Sequence, residues 1–109
     1  MFRPEDFLAL AKDLLERSRS EAILRTVISR AYYAAFQHVR EHSGRQGIRH
    51  SELWREIDRA DFDSGHLGDR IRRLRNAADY ADPMPDLEED ARWCVGRAEQ
   101  LICNFGNAQ

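Results

Sequence analysis

Lysine, cysteine and long apolar runs are scarce in this chain of 109 residues. The longest apolar run, Ala31 to Phe36, is far too short to cross a bilayer. The segment from Met1 to Asp6 lacks a basic stretch followed by an apolar core, so no signal peptide is indicated. We therefore expect a cytoplasmic protein that does not insert into a membrane.

Signals for strands and for several enzyme classes are also missing. No segment alternates apolar and polar residues with a period of two, and no hairpin dipeptide is present. The chain has neither a G-x-S-x-G nucleophile elbow nor a glycine-rich phosphate loop. These absences argue against an α/β hydrolase and a P-loop protein, and they favour an all-α fold.

The two cysteines, Cys94 and Cys103, lie in the same predicted helix. At that spacing their side chains point about 180° apart and lie about 13 Å from each other. This separation excludes a disulfide between them, and two free thiols agree with a reducing compartment.

Helix-forming patterns cover the first half of the chain. Pro4 suits the first turn of a helix that fades around residues 17–19. Ser20 is the expected N-cap of a second helix that runs to about His42. Residues 44–47, which begin and end with glycine, predict a turn.

Three further helices are predicted in the second half. Ser51 is the expected cap of a short third helix. Residues 62–65 are expected to form a non-helical break between the third helix and the fourth. The Pro-Met-Pro sequence at 83–85 ends the fourth helix, and Asp86 is the expected cap of the fifth. The apolar side of the fourth helix is predicted to consist of Leu67, Ile71, Leu74, Ala78 and Ala81.

The apolar patterns also predict how the helices pack. The second helix is apolar most of the way round, so we expect it at the centre of the fold. Four long helices and a short one with short connections predict an antiparallel up-and-down four-helix bundle with a short additional helix. Residues 1–109 are expected to form this single domain. The most regular apolar stripe is that of the fifth helix: Leu87, Ala91, Cys94, Val95, Ala98, Leu101 and Ile102.

The basic residues are of one type and unevenly distributed. Of the 17 basic residues all but Lys12 are arginine, and the formal net charge is -2. Arginines are concentrated in residues 21–50 and 66–80, whereas the charged residues within 81–90 are all acidic. A uniformly basic nucleic-acid binder is excluded, but a local basic face is compatible with this pattern. Codon bias in a GC-rich genome is the plainer explanation of the arginine excess.

His38 to His42 read H-x-x-E-H, a pattern found in some zinc proteases. Residues four apart on a helix face the same way and can share one ion. The pattern lies at a helix end beside a glycine turn, and no third ligand is evident, so an exposed last helical turn is the favoured interpretation. We expect no metal and no cofactor.

Polar side chains interrupt two otherwise apolar helices. Arg30 lies within the nearly continuous apolar surface of the second helix. Arg72, Arg75, Asn76 and Asp79 follow at spacings of three, four and seven, so they share a stripe of the fourth helix. Arg75 and Asp79 are spaced to form an ion pair, although a solvated helix face with one salt bridge would produce the same spacing.

Two segments carry a family resemblance. Residues 29–36 read S-R-A-Y-Y-A-A-F and residues 74–80 read L-R-N-A-A-D-Y, and a final amphipathic helix follows. Together they resemble the HEPN family of prokaryotic helical-bundle proteins, and in particular its small single-domain members with an R-x-x-A-D-Y ending. The resemblance covers roughly residues 5–103, and His50 at the start of the third helix fits the same pattern.

The resemblance implies a homodimer with a functional cleft. Many HEPN proteins are metal-independent ribonucleases, often toxins paired with a small nucleotidyltransferase antitoxin, and they use the arginine and histidine of an R-x(4–6)-H motif. Arg75 matches that arginine. The histidine is expected at Tyr80, Ala81 or Asp82, and none of these is histidine.

This departure shapes the functional expectation. Arg75, Asp79 and Tyr80 are the candidate catalytic residues, but an aspartate is a poor acid and a tyrosine a weak proton shuttle at pH 7. We therefore expect a module that binds RNA or a nucleotide, in a toxin–antitoxin or defence setting. A minimal nucleotidyltransferase or another neighbouring-gene protein is the expected partner. The candidate binding residues are Arg30, Tyr33, Arg72 and Asn76.

Two alternatives stay open. The first is an active ribonuclease that draws a histidine from elsewhere, such as His38, His50 or His66, although His50 and His66 alone are more typical of helix starts and loops. The second is a purely structural interaction module, in which Arg75 and its neighbours only brace the bundle.

Overall fold

Five helices account for most of the protein. The computed structural model describes residues 3–45, 47–80 and 82–106, and these contain no strand. The all-α prediction is confirmed, and four of the helices are longer than the third. Their bounds are α1 (Pro4–Arg17), α2 (Glu21–His42), α3 (His50–Ala60), α4 (Phe62–Asp79) and α5 (Leu87–Gly106).

The first two helices begin where the sequence predicts. Pro4 is the first residue of α1, where its missing amide proton leaves no hydrogen bond unmade. The Ser20 hydroxyl accepts a hydrogen bond from the Ile23 amide at 3.3 Å and caps α2. After α2, Gly44 and Gly47 adopt φ angles of 72° and 80°. Glycine reaches this left-handed region without steric cost, so the predicted turn is confirmed.

The start of α3 differs from the prediction. The helix begins at His50, so Ser51 lies inside its first turn and is not the cap. The backbone of Arg49 has the extended conformation of an N-cap residue, and its carbonyl accepts the Leu53 amide at 2.9 Å.

The predicted interruption at residues 62–65 is wrong. α4 already begins at Phe62, directly after Asp61. The Asp61 carboxylate accepts hydrogen bonds from the Ser64 amide at 3.3 Å and from its hydroxyl at 2.8 Å. This cap allows α4 to begin with only Asp61 between it and the end of α3.

The glycines of α4 serve packing. A Cβ atom at Gly65 would overlap the backbone of Asp58, and one at Gly68 would overlap the indole of Trp54. Both residues therefore let α3 lie close against α4, and they do not mark a turn.

The core is built around α2. This helix packs against α1, α4 and α5, while α3 packs mainly on α4. The predicted central position of α2 is thereby confirmed. Small side chains allow its neighbours to approach closely. The fully or almost fully buried residues of α2 include Val27, Ile28, Ala31, Tyr32, Ala34, Ala35 and Val39.

The apolar stripe of α5 faces this core. Cys94 and Ala98 are fully buried within it, whereas Cys103 is exposed and both thiols are free. Asp86 precedes the helix, and its carbonyl accepts the Asp90 amide at 2.8 Å. Ala81, which was predicted for the apolar side of α4, lies outside the described residues.

The helices form a compact body. The radius of gyration is 13.2 Å, close to the value of about 13 Å expected for a compact chain of this length. None of the helices in the described ranges combines the length and the apolarity that a membrane crossing requires.

Candidate functional site

Tyr32 is the centre of a buried polar cluster between α2, α3 and α4. Its ring is fully buried, and its hydroxyl oxygen accepts a hydrogen bond from the Trp54 indole N–H at 3.1 Å. The same oxygen lies 2.8 Å from Nδ1 of His50. Burial raises the pKa of Tyr32 to about 12, so its phenol is protonated at neutral pH.

This network sets the tautomer of His50. Because the Tyr32 oxygen already accepts from Trp54, we assign its single proton to the bond with Nδ1 of His50. A neutral His50 then carries its own proton on Nε2. That nitrogen makes no hydrogen bond within the described residues, so it can donate to a ligand.

Aromatic rings hold His50 in place. Its ring stacks on Phe36 with centroids 3.9 Å apart, and it lies 5.5 Å from the ring of Tyr32 and 6.0 Å from that of Tyr33. Burial lowers the pKa of His50, and the positive charges of Arg75, Arg40 and Arg72 lower it further. The imidazole is therefore neutral at pH 7, because both burial and the neighbouring cations disfavour its charged form.

Arg75 lies against the same rings. Its guanidinium carbon is 5.2 Å from the Tyr32 centroid and 5.3 Å from the Tyr33 centroid. Nη1 pairs with the Asp79 carboxylate at 3.3 Å, as the spacing predicts. Only 14% of the Arg75 side chain is exposed, and its Nε is buried without a hydrogen-bond partner. One donor of this guanidinium is therefore unused.

Arg40 supplies a second unused donor. Its guanidinium carbon lies 4.8 Å from the Phe36 centroid, and its Nε is also buried without a partner. Within the described ranges Arg40 forms no ion pair, whereas Arg72 contacts Asp69 at 2.8 Å. We refer to Tyr32, Phe36, Arg40, His50, Arg72 and Arg75 as the His50 cluster.

Some of the predicted site residues come together here. Arg75 pairs with Asp79 and lies over the ring of Tyr33. Arg72 is close enough for its charge to lower the pKa of His50. Arg30 is one step away, because its guanidinium carbon lies 5.2 Å from the ring of Phe7, which packs on Tyr33.

Two predicted residues are placed differently. Tyr80 is the C-cap residue of α4, and 76% of it is exposed. Asn76 is half-buried on α4, and its backbone carbonyl accepts the Tyr80 amide at 3.0 Å. The structure therefore brings neither side chain into the His50 cluster.

Sequence reasoning missed Tyr32, Trp54 and Arg40, and it treated His50 as a helix-start residue. The spacing of Tyr32, Phe36 and Arg40 by four residues on α2 is a signal for one shared face. The approach of His50 to that face depends on how α3 packs, which the spacing does not encode.

The H-x-x-E-H segment forms a separate cluster. The His38 ring is buried, stacks on His42 with centroids 3.9 Å apart, and has no hydrogen-bond partner on either nitrogen. Glu5 lies 3.6 Å from Nδ1, which is longer than a hydrogen bond. Among the described residues, no three potential ligand side chains converge on a position for a metal ion.

A separate groove lies on another part of the surface. It has a volume of about 780 Å³ between α3 and α4, beside Trp93 of α5, and it shares Arg72 with the His50 cluster. Both acids and bases line it, and His66 pairs with Asp58 at 2.8 Å. Its mixed charge selects no ligand class.

Comparison with known proteins adds no relative. No protein-family model, curated protein or solved structure matches the chain. The resemblance to the HEPN family rests on the two sequence motifs alone.

Proposed function

We propose that this protein is a small HEPN-type module that binds RNA or a nucleotide through the His50 cluster. The proposed fold is the antiparallel up-and-down four-helix bundle with α3 as the additional helix, and the proposed assembly is a homodimer. Its setting is a toxin–antitoxin or defence system with a minimal nucleotidyltransferase or another neighbouring-gene protein as partner.

Unused cationic donors carry the proposal. Arg40 and Arg75 each have a buried Nε without a hydrogen-bond partner, and both lie beside the neutral ring of His50. Because both Nε atoms are shielded from solvent, an anion would be held by the uncompensated charge of Arg40, since Arg72 and Arg75 pair with Asp69 and Asp79. Arginine forks match phosphate oxygens in geometry and charge.

Arg40 is the most informative position for a substitution that tests ligand binding. Because Arg75 is packed on two tyrosine rings, its removal would disturb folding together with binding. Arg40 forms no ion pair among the described residues and lies over the ring of Phe36, so Arg40→Gln removes an uncompensated charge with a smaller loss of packing than removal of Arg75. We expect the variant to bind a short single-stranded RNA about tenfold more weakly, as loss of one charged hydrogen bond implies.

Fluorescence anisotropy at several salt concentrations measures this effect. The slope of log affinity against log salt should become shallower by roughly 0.7 when one phosphate contact to a single strand is lost. Arg17→Gln, on an exposed arginine of α1, is the matched control and should not change affinity. If Arg40→Gln alters only the melting temperature, the cluster is a structural brace and the interaction-module alternative gains.

A ribonuclease activity is the second candidate, and one observation favours it. His50 and Arg75 lie against the same two tyrosine rings, so the fold supplies an imidazole beside Arg75 although residues 80–82 contain none. Incubating the same RNA with the protein in EDTA decides between binding and cleavage. RNA that stays intact with the wild-type protein rules the ribonuclease out.

A further inference from the structure

Arg25 of α2 binds the end of a neighbouring helix. Its Nη1 donates to the backbone carbonyls of Ala77 at 3.0 Å and Ala78 at 3.1 Å, and its Nη2 donates to that of Asp82 at 2.6 Å. Its Nε pairs with the Glu21 carboxylate at 3.0 Å. Only 14% of the Arg25 side chain is exposed, compared with 71% of that of Glu21. Because an exposed ion pair contributes little, the three carbonyls are the main partners of Arg25.

These carbonyls lie at the C-terminal end of α4. Backbone oxygens there have no partner within the helix and carry a partial negative charge, which a basic side chain in the last turn can offset. Residues 76–79 form the last turn of α4, all four are described, and none of them is basic. Arg25 therefore supplies from α2 the capping cation that α4 lacks.

The turn that Arg25 caps also holds Asp79. Asp79 is the last residue of α4, and its carboxylate lies 3.3 Å from Nη1 of Arg75 because the two residues are four apart on a helix. If this turn unwinds, the spacing no longer brings them together. After burial, the positive charge of Arg75 is the largest cause that lowers the pKa of His50. The Asp79 carboxylate offsets that charge.

We propose that Arg25 is a positioning residue, which caps α4, holds the Asp79 carboxylate against Arg75 and so limits the positive charge beside His50. The inference goes beyond the proposed function, because it concerns the protein without a ligand. Sequence spacing could not find this role, since Arg25 and Ala77 are 52 residues apart.

NMR chemical shifts test the cap. In Arg25→Met, which keeps an unbranched stem but has no donor, the Cα shifts of residues 77–79 should move from helical towards random-coil values. The shifts of residues 66–74, which lie further from the cap, should stay helical. Helical shifts that persist at residues 77–79 overturn the inference.

The pKa of His50, followed by NMR titration of its ring, tests the link to Arg75. Arg25→Met should lower this pKa by roughly half a unit, because Arg75 loses its counter-charge. Removal of a cation by itself would raise the pKa, so the sign separates positioning from a direct charge effect. The ionisable groups that face His50 are retained in every variant: Tyr32, Tyr33 and Arg40 of α2 and Arg72 and Arg75 of α4.

Asp79→Asn shows whether Arg25 acts through Asp79. This variant removes the counter-charge of Arg75 directly, so it should lower the pKa of His50 by the same amount. Adding Arg25→Met to Asp79→Asn should then change the pKa no further. A further fall in the double variant overturns the inference, as does a rise or no change in Arg25→Met alone.

Two control variants separate the cap from a general loss of charge. Glu21→Gln removes the exposed ion pair of Arg25 but leaves the carbonyl contacts. Arg17→Met removes an arginine that is also paired four residues away, but whose side chain is 73% exposed. Neither control should change the Cα shifts of residues 77–79 or the pKa of His50, and a change of the same size as in Arg25→Met overturns the inference.

A second substitution covers the case in which Arg25→Met does not fold. Arg25→Gln keeps one amide donor group and should show the same changes to a smaller extent. Unchanged Cα shifts and an unchanged pKa of His50 in Arg25→Gln overturn the inference. Because no ligand is added in any of these measurements, their outcome is independent of the RNA-binding experiments.

Discussion

His38 carries both of its ring nitrogens into the interior without a hydrogen-bond partner. Burial lowers its pKa, and the neighbouring His42 lowers it further. The neutral ring is the form that the fold accommodates, although Glu5 lies 3.6 Å away. Protonation of His38 would place a charge in a site that supplies no acceptor at hydrogen-bond distance.

This burial predicts a loss of stability in acid. The pKa of His38 is below its unfolded value of 6.5, so the native state binds fewer protons. Its contribution is complete above about pH 6.5 and declines as pH falls. Urea denaturation measures the free energy of unfolding at each pH. Between pH 8 and pH 5 this free energy should fall less for His38→Leu than for the wild type, by on the order of 1 kcal/mol.

The control for His38→Leu is His66→Gln, which removes an exposed histidine. Should His38→Leu lose as much stability between pH 8 and pH 5 as the wild type, the buried ring is not the group that titrates. A large loss at pH 8 would instead mean that the leucine fits poorly, and His38→Gln then replaces it.

Single residues differ in how far sequence could place them. The pair of Arg75 and Asp79 was predictable, because four-residue spacing on one helix is sufficient to bring them together. The contact of Tyr32 with His50 joins two helices, so only tertiary packing creates it. For the same reason the sequence offers His50 only as one of three alternative histidines, beside His38 and His66.

At the scale of helices, glycine has two structural roles that the sequence alone does not distinguish. Gly44 and Gly47 form the predicted turn with positive φ angles. Gly65 and Gly68 lie inside α4, where their missing side chains make room for α3. The Ser20 cap and the apolar stripe of α5 are local signals that sequence predicts, whereas the close approach of two helices is a property of the folded chain.

Gly68→Ala should therefore destabilise the protein. Its methyl group would overlap the fully buried indole of Trp54, and overpacking of this kind costs about 1–3 kcal/mol. Gly96→Ala is the matched control in α5, because a methyl group there meets no atom within 4 Å. Since alanine favours a helix over glycine, Gly96→Ala should be neutral or stabilising by up to about 1 kcal/mol.

Urea denaturation curves of the two variants give the comparison directly. Equal midpoints for Gly68→Ala and Gly96→Ala would show that α3 does not pack against α4 as described. A destabilised Gly68→Ala with an unchanged denaturant slope would locate the effect in the native packing.

At the scale of the whole molecule, α2 packs against α1, α4 and α5, but these helices do not cover its surface evenly. α1 and α4 flank α2, and Tyr33 between them is only half-buried. The exposed large apolar side chains among the described residues are Leu10 on α1 and Tyr80, which directly follows α4. A small chain buries a modest fraction of its surface alone, so a second copy that covered these side chains would bury more apolar surface.

The proposed dimer can be tested at this surface. A carboxylate at Leu10 or Tyr80 would be buried without a partner if a second copy covers them, at a cost of several kcal/mol. We expect Leu10→Glu and Tyr80→Glu to raise the dimer dissociation constant by at least about tenfold in sedimentation equilibrium. Gln100→Glu places the same charge on the exposed side of α5 and should leave association unchanged. If the wild-type protein sediments as a monomer at all concentrations, the cleft of the HEPN-type proposal does not form, and the His50 cluster must then bind its ligand within one chain.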